Sequence, residues 1–215
     1  EAITDPTSID LPANNRFANP YDLVPAPKLN GWIVSDSGRN ALIFVSTDGS
    51  TRDYALFEAF SIRGHSTKIE VVPTGIDRGP DDAIYVGSLT GFPYPSGEAT
   101  VWRVEDNNND GDALDPGEIQ PHLEGFTAIT DIIFDSKGRL YVAEFASNMQ
   151  KVMQEGNLRN NVSKYPGRVT QYDGTDATVV VERAISPTGI IVIGDDLYIS
   201  EEFAGRVRRI SLNQS

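Results

Sequence analysis

Apolar residues in this chain fall mostly in short alternating runs, punctuated by Asp, Gly, Lys, Asn and Ser. Ile84-Tyr85-Val86, Leu140-Tyr141-Val142 and Leu197-Tyr198-Ile199 are rich in β-branched and aromatic residues, and each follows a polar turn. Such runs read as strands. One stretch differs. Between 145 and 168, Met149, Val152 and Met153 stand at i, i+3 and i+4, which predicts one or two helical turns with an apolar face.

The strand runs repeat. Segments beginning at Asn19, Val72, Ala128 and Ser186 each show an apolar strand, a polar turn and a strand of the L-Y-V type, followed by a third strand such as Val101–Val104, Val169–Tyr172 or Val207–Ile210. Tyr85, Tyr141 and Tyr198 fall in one column, with Ile33 or its neighbour Trp32 in the first repeat. A period of about 55 residues, with short strands and little helical periodicity, describes the blades of a β-propeller. The expected fold is all-β: one domain over 1–215 with four visible blades, at about 19–60, 72–125, 128–185 and 186–215. "RDYALFEAF", "IQPHLEGF" and "ATVVVERAI" are candidates for the outer strands, and the last repeat stops after its third. Residues 1–18, with "TSIDL", are a candidate closing strand.

The phrases "NPYDL", "SDSGRNAL", "VPTGIDRGPDDAIYVGSLTGFPYPSGEATVWRV" and "GFTAITDIIFDSKGRLYVAEF" resemble the ScyD/ScyE family of NHL-like β-propellers. The resemblance runs from Asn19 to Leu212, and the LTGFPYPSG loop is its most specific part. It implies a ring of about six blades, within the usual range for propellers. Four visible repeats therefore lead to the expectation that another chain, or residues beyond these repeats, covers the terminal blade faces.

Composition narrows the partners. With 39% hydrophobic and 23% charged residues in 215, the chain can bury a core. Its net charge of −13 argues against nucleic acid and anionic membrane surfaces and favours cations. No apolar run approaches the roughly 18 residues of a membrane span, so no membrane insertion is expected. There is no cysteine, so no disulfide contributes. Asn161-Val162-Ser163 and Asn213-Gln214-Ser215 are glycosylation sequons. Acidity, absent cysteine and the loop described next lean towards an extracellular or periplasmic, secreted setting.

The stretch "DNNNDGDALDPGE" crowds carboxylates into one loop, where they repel unless a cation lies between them. Asp106, Asn108 and Asp110 occupy alternate positions before Gly111, as in the calcium loop of an EF-hand, and Asp112 follows with a carbonyl in the next ligand place. The closing acid is irregular: Glu118 stands one position late, so either the loop bulges or Asp115 completes the shell. Calcium is the expected ion. In a four-stranded blade this loop joins the third and fourth strands, away from the axial opening, where an ion stiffens rather than catalyses.

The connections between second and third strands, 89–100 and 145–168, lie on the opposite face. Met149, Val152 and Met153 read as local packing on that face. A contact surface for a protein partner is the second reading, with Phe92, Tyr94 and the basic Lys151, Arg159, Lys164 and Arg168 nearby. An active site has weaker support. The only histidines, His65 and His122, fall in different repeats, and there is no cysteine nucleophile or G-x-S-x-G elbow. Asp22 and Asp131 align with Gly75 and Gly189 in the first strands, and Asp36, Ser88, Glu144 and Glu201 share a column ending the second. Read structurally, that column caps turn amides. Read chemically, Asp22, Asp131 or Glu144 hold a second metal, as in a metal-dependent lactonase-like hydrolase of the gluconolactonase or senescence-marker type. The expected function is a non-enzymatic binding or assembly scaffold, with that hydrolase as the alternative.

Overall fold

The computed structural model describes residues 18–62, 64, 66–154 and 158–213. The candidate closing strand in 1–17 and His65 lie outside the described residues. Four sheets follow one another along the chain, each a meander of antiparallel neighbours. The first holds β1 (Pro20–Ala26), β2 (Gly31–Asp36), β3 (Ala41–Ser46) and β4 (Thr51–Leu56). The second holds β5 (Pro73–Arg78), β6 (Ile84–Ser88), β7 (Ala99–Val104) and β8 (Ile119–Phe126). The third holds β9 (Ile129–Phe134), β10 (Leu140–Ala146), β11 (Pro166–Asp173) and β12 (Asp176–Ala184). The last holds β13 (Pro187–Ile193), β14 (Asp196–Glu201) and β15 (Arg206–Ser211). The insertion forms α1 (Met149–Gln154) and α2 (Leu158–Lys164) between β10 and β11.

First strands pack on first strands: β5 lies between β1 and β9, and β9 meets β13. The sheets are the blades of a four-bladed β-propeller, and their cores sit between neighbours. Period-two alternation explains why. In β6, Ile84 and Val86 face the first blade, while Tyr85 faces the third. In β10, Leu140 and Val142 join Tyr85, while Tyr141 turns to the fourth blade with Leu197 and Ile199. Successive side chains of a strand point to opposite faces, so one blade serves two cores. The tyrosine column is the face directed at the following blade. Ile33 fills it in the first blade, whereas Trp32 points the other way and is largely exposed. Tyr198, with no further blade beyond it among the described residues, is only partly covered. On the same face Ile193 is 59% exposed and Val207 70% exposed.

Candidate functional site

The inner strands carry a row of carboxylates at the axis. Asp22 Oδ2 accepts the Ile76 N–H of the second blade at 3.1 Å. Asp77 Oδ2 accepts Phe134 N–H of the third at 2.7 Å. Asp131 Oδ2 accepts Ile190 N–H of the fourth at 2.6 Å, while its Oδ1 accepts the adjacent Ile132 N–H at 2.9 Å. Each aspartate thus clasps the backbone of the next blade. Close approach requires glycine opposite: a Cβ on Gly75 would lie 2.4 Å from Asp131 Oδ1 and 2.5 Å from its Cα. Burial pushes the Asp131 carboxyl up to about 7, its hydrogen bonds with Ile190 and Ile132 partly oppose this, and Asp22 and Asp77 raise it further. Tyr21 stands in the same field: burial, then Asp131, Asp22 and Glu202, push its phenol up to about 12. Asp77 is raised as well, chiefly by burial.

The column ending the second strands is a set of caps. Asp36 Oδ1 accepts N–H groups from Asn19, Gly38 and Arg39. Glu144 Oε1 accepts Thr127 N–H at 2.7 Å, and its other oxygen pairs with Arg168. Glu201 repeats the arrangement with Ile185 N–H and Arg206, both at 2.6 Å. Asp36, Glu144 and Glu201 therefore tie the start of each first strand to the end of the second, in agreement with the capping reading. Ser88 instead bonds across to Thr100. Among the described residues, no three His, Asp or Glu side chains converge as a shared metal ion requires.

The loop 106–118 folds around its own amides. Asp106 accepts from Asp110 and Gly111, and Asp110 from Asp112. Gly111, at φ 102°, takes the left-handed turn that an L side chain resists. Asn108 Nδ2 donates to Asp110 Oδ2 at 3.1 Å and to Asp115 Oδ2 at 2.6 Å. Those amide hydrogens supply partial positive charge between two carboxylates. Glu118 is buried beneath, accepting Asn107 N–H and Asp115 N–H. Asp115, rather than Glu118, therefore shares a centre with Asn108 and Asp110. All these donors are hard oxygens, the chemistry calcium selects. For Asn108 to contribute its oxygen, the amide must turn over and release the two carboxylates to the ion.

The loop also reaches another blade. Ala113, fully buried, donates its N–H to Tyr54 O at 2.7 Å. Arg52 donates from Nη2 to Gly111 O at 2.6 Å, brings Nη1 to 3.8 Å from Asp112 Oδ2, and stacks its guanidinium over Phe44 at 4.7 Å from the ring centre. Tyr54 is pushed up to about 12 by burial and then by Asp106, which places it against the loop.

On the opposite face, α1 and α2 pack down. Met149, Val152 and Val162 are buried with Phe145 and Ala146, against Leu89 and Tyr94 of the second blade and Ile185 and Phe203 at the fourth. Met153 is exposed, and so is Phe92, at 79%. Arg168 is committed to Glu144, so the basic patch is smaller than its sequence. Asn161 is 2% exposed and its amide donates to Val152 O, so this sequon is not presented.

Three contributors escaped the sequence reading. Arg52 and Tyr54 carried no signal beyond an outer strand. Asp77 was visible only as an acid at a position where Val24 and Ile133 stand in neighbouring blades.

The fold defines the class of protein, a β-propeller. It is similar in structure to a protein described as a gluconolactonase, with TM-score 0.61 and 15% identity over 92% of this chain and 60% of that one. A chain in a nidogen/laminin complex aligns with TM-score 0.61 and 11% identity over 90% of this chain and 60% of that one. A gluconolactonase from Xanthomonas campestris aligns with TM-score 0.58 and 12% identity over 89% of this chain and 57% of that one. The chain thus spans about 60% of the length of these structures. No family model and no curated protein matches the sequence.

Proposed function

We propose that the protein is a non-enzymatic binding or assembly scaffold, secreted to an extracellular or periplasmic setting, with calcium in loop 106–118 as a brace. It is read as a relative of the ScyD/ScyE propellers on its sequence motifs. The observation that carries the scaffold reading is the use of the axial carboxylates: Asp22, Asp77 and Asp131 each hold a backbone N–H of the following blade. A carboxylate spent on an inter-blade hydrogen bond is a poorer metal ligand, because the ion must displace a buried N–H and leave it unpaired.

Calcium would be held by Asp106, Asn108, Asp110 and Asp115, with the Asp112 carbonyl, and Glu118 would support the loop from beneath. It would supply the positive charge that the Asn108 amide now approximates, fixing the strap between the first two blades. Thermal melting with calcium and with chelator tests this. Calcium is expected to raise the midpoint, and Asp110→Ala to abolish both the shift and the binding. Unchanged melting and affinity in that variant would reduce the loop to an acidic turn.

Partners are expected on the face bearing Phe92 and Met153 and on the open face of the last blade, through a protein partner or self-association. Light scattering on native material reads this directly: a species of 23.5 kDa at every concentration, with no partner retained, sinks the assembly reading.

The second reading is a metal-dependent, lactonase-like hydrolase. Asp131 favours it, since a carboxyl raised to about 7 beside Asp22 and Tyr21 at an axial opening has the character of a catalytic acid or base. Divalent-metal-dependent hydrolysis of a sugar lactone, lost in Asp131→Asn with the fold intact, would displace the scaffold.

A further inference from the structure

The two ends of the row of blades carry inner-strand surfaces that match each other. Each of the first three blades has a following face that the next blade covers. Val101 and Val169 stand in one column of that face, opposite Gly87 and Ala143, and are fully buried. Val207, opposite Ser200 in the last blade, is 70% exposed. The hydroxyls differ in the same way. Thr74 Oγ1 donates to Ile129 O of the third blade at 2.9 Å, and Thr130 Oγ1 to Pro187 O of the fourth at 2.8 Å. Thr188, next in that column, turns back to Ser200 Oγ of its own blade at 3.1 Å. The first blade is open on the other side: Leu23 is 55% exposed, whereas Ile76, Ile132 and Ile190 in its column are buried against the preceding blade.

The polar columns agree with the apolar ones. At the junction of the second and third blades Gly75 offers no acid, and Asp131 serves its own strand, its Oδ1 accepting Ile132 N–H at 2.9 Å. The last blade likewise offers Gly189, and Asp22 of the first serves its own strand, its Oδ1 accepting Leu23 N–H at 2.8 Å. Two positions on from Gly75, Asp77 clasps Phe134 N–H at 2.7 Å. In the last blade Ile191 replaces Asp77, and in the first blade Pro25 replaces Phe134. Proline has no N–H, so acid and donor are absent together. A last blade set against a first blade therefore leaves no clasp donor without its acceptor.

We propose, on the assembly reading above, that β13 of one protomer docks against β1 of a second copy, and that two such contacts close a two-fold ring of eight blades. Eight blades lie within the range of propellers, and two seams related by a two-fold axis leave no end free to propagate. Leu23 of the second copy lies over Ser200 and Val207, as Ile132 lies 3.4 Å from a Cβ placed on Gly87, and Thr188 turns to Pro20 O. The exposure of Leu23 and Val207 shows that the chain's own first blade does not make this contact. Further out on the first blade Val34, Ile43 and Val45 are already buried, which confines the docking to the inner strands and their immediate neighbours.

The chain has no cysteine, so introduced thiols report single contacts. Leu23→Cys and Ser200→Cys, mixed and mildly oxidised, are expected to give a covalent dimer, while either variant alone gives none. Light scattering on the wild type is expected to show a species of twice 23.5 kDa. Val207→Asp changes a side chain exposed in the single chain, so it is expected to melt as the isolated protomer does. It should weaken the dimer roughly a hundred-fold, because it buries an unpaired carboxylate at the seam. A dimer that persists unweakened in Val207→Asp, that cross-links through Ser200→Cys alone, or that gives no cross-link in the mixture overturns this docking and leaves self-association standing. A wild-type monomer that retains a different protein overturns the docking and leaves the scaffold reading; a monomer that retains none removes both.

Discussion

Loop 106–118 and the insertion 145–168 both cross blade junctions, one on each face of the propeller, yet they are held by opposite chemistries. The loop reaches from the second blade to the first through Ala113 N–H, Arg52 and a nest of carboxylates around Asn108. The insertion reaches from the third blade to the second and fourth through Phe145, Met149, Val152 and Val162. Apolar contact is indifferent to ions and nearly so to pH. Clustered carboxylates are not: their mutual repulsion falls only when a positive charge is present. One face is therefore braced by apolar contact, and the other by polar bonds beside a carboxylate cluster whose repulsion a cation would relieve.

The largest expected effect breaks the apolar strap. Phe145→Ala, which empties the centre of that cluster and removes its edge contact with Phe203, should cost roughly 3–5 kcal/mol in denaturant unfolding, the same with or without calcium. A calcium-dependent loss would show that the two straps are coupled. Next comes the ion itself: at a hundred-fold excess over its dissociation constant, calcium should add about 2.7 kcal/mol, and add it equally to wild type and to Phe145→Ala. Arg52→Met, which keeps a stem over Phe44 but loses the bonds to Gly111 and Asp112, should cost about 1 kcal/mol. That loss should shrink in high salt, whereas the Phe145 effect should not.

A pH effect lies on the axis, which neither strap touches. Asp131 titrates near 7 in the folded protein, against 3.8 for the unperturbed group. Below the lower value the carboxyl is neutral in folded and unfolded chains alike. Between the two values only the unfolded chain ionises, so stability falls as pH rises from about 4 to about 7 and then levels. Asp131→Asn should flatten that part of the profile. A wild-type profile that rises over this window would show that the carboxylate form, with its two N–H donors, is the one the fold prefers.

Much of the architecture was legible because propeller blades write it locally. The Tyr85, Tyr141 and Tyr198 column records a face, since alternation within a strand needs no knowledge of what lies beyond it. The acidic loop was equally visible, because its turn and its side-chain contacts fall within thirteen residues of Asp106. What the sequence concealed was the address of each polar group. Asp22 bonds to a residue 54 positions on and Asp131 to one 59 positions on, so no local spacing reveals these clasps. Arg52 meets Gly111 across 59 positions for the same reason. The sequence did not distinguish Asp115 from Glu118, whose surroundings differ: Glu118 turns inward to backbone amides, and Asp115 faces Asn108.

The clasp at Asp131 bears on how such arrays can be shuffled. Along the inner strands one column reads Asp22, Gly75, Asp131, Gly189. Asp131 presses on Gly75 of the blade before it and bonds beside Gly189 of the blade after it. Two aspartate blades set side by side would collide at this column, and two glycine blades would leave an N–H without its carboxylate. The column accordingly repeats over a pair of blades. A single-blade insertion or deletion shifts the alternation out of phase, and any ring that keeps it throughout has an even number of blades.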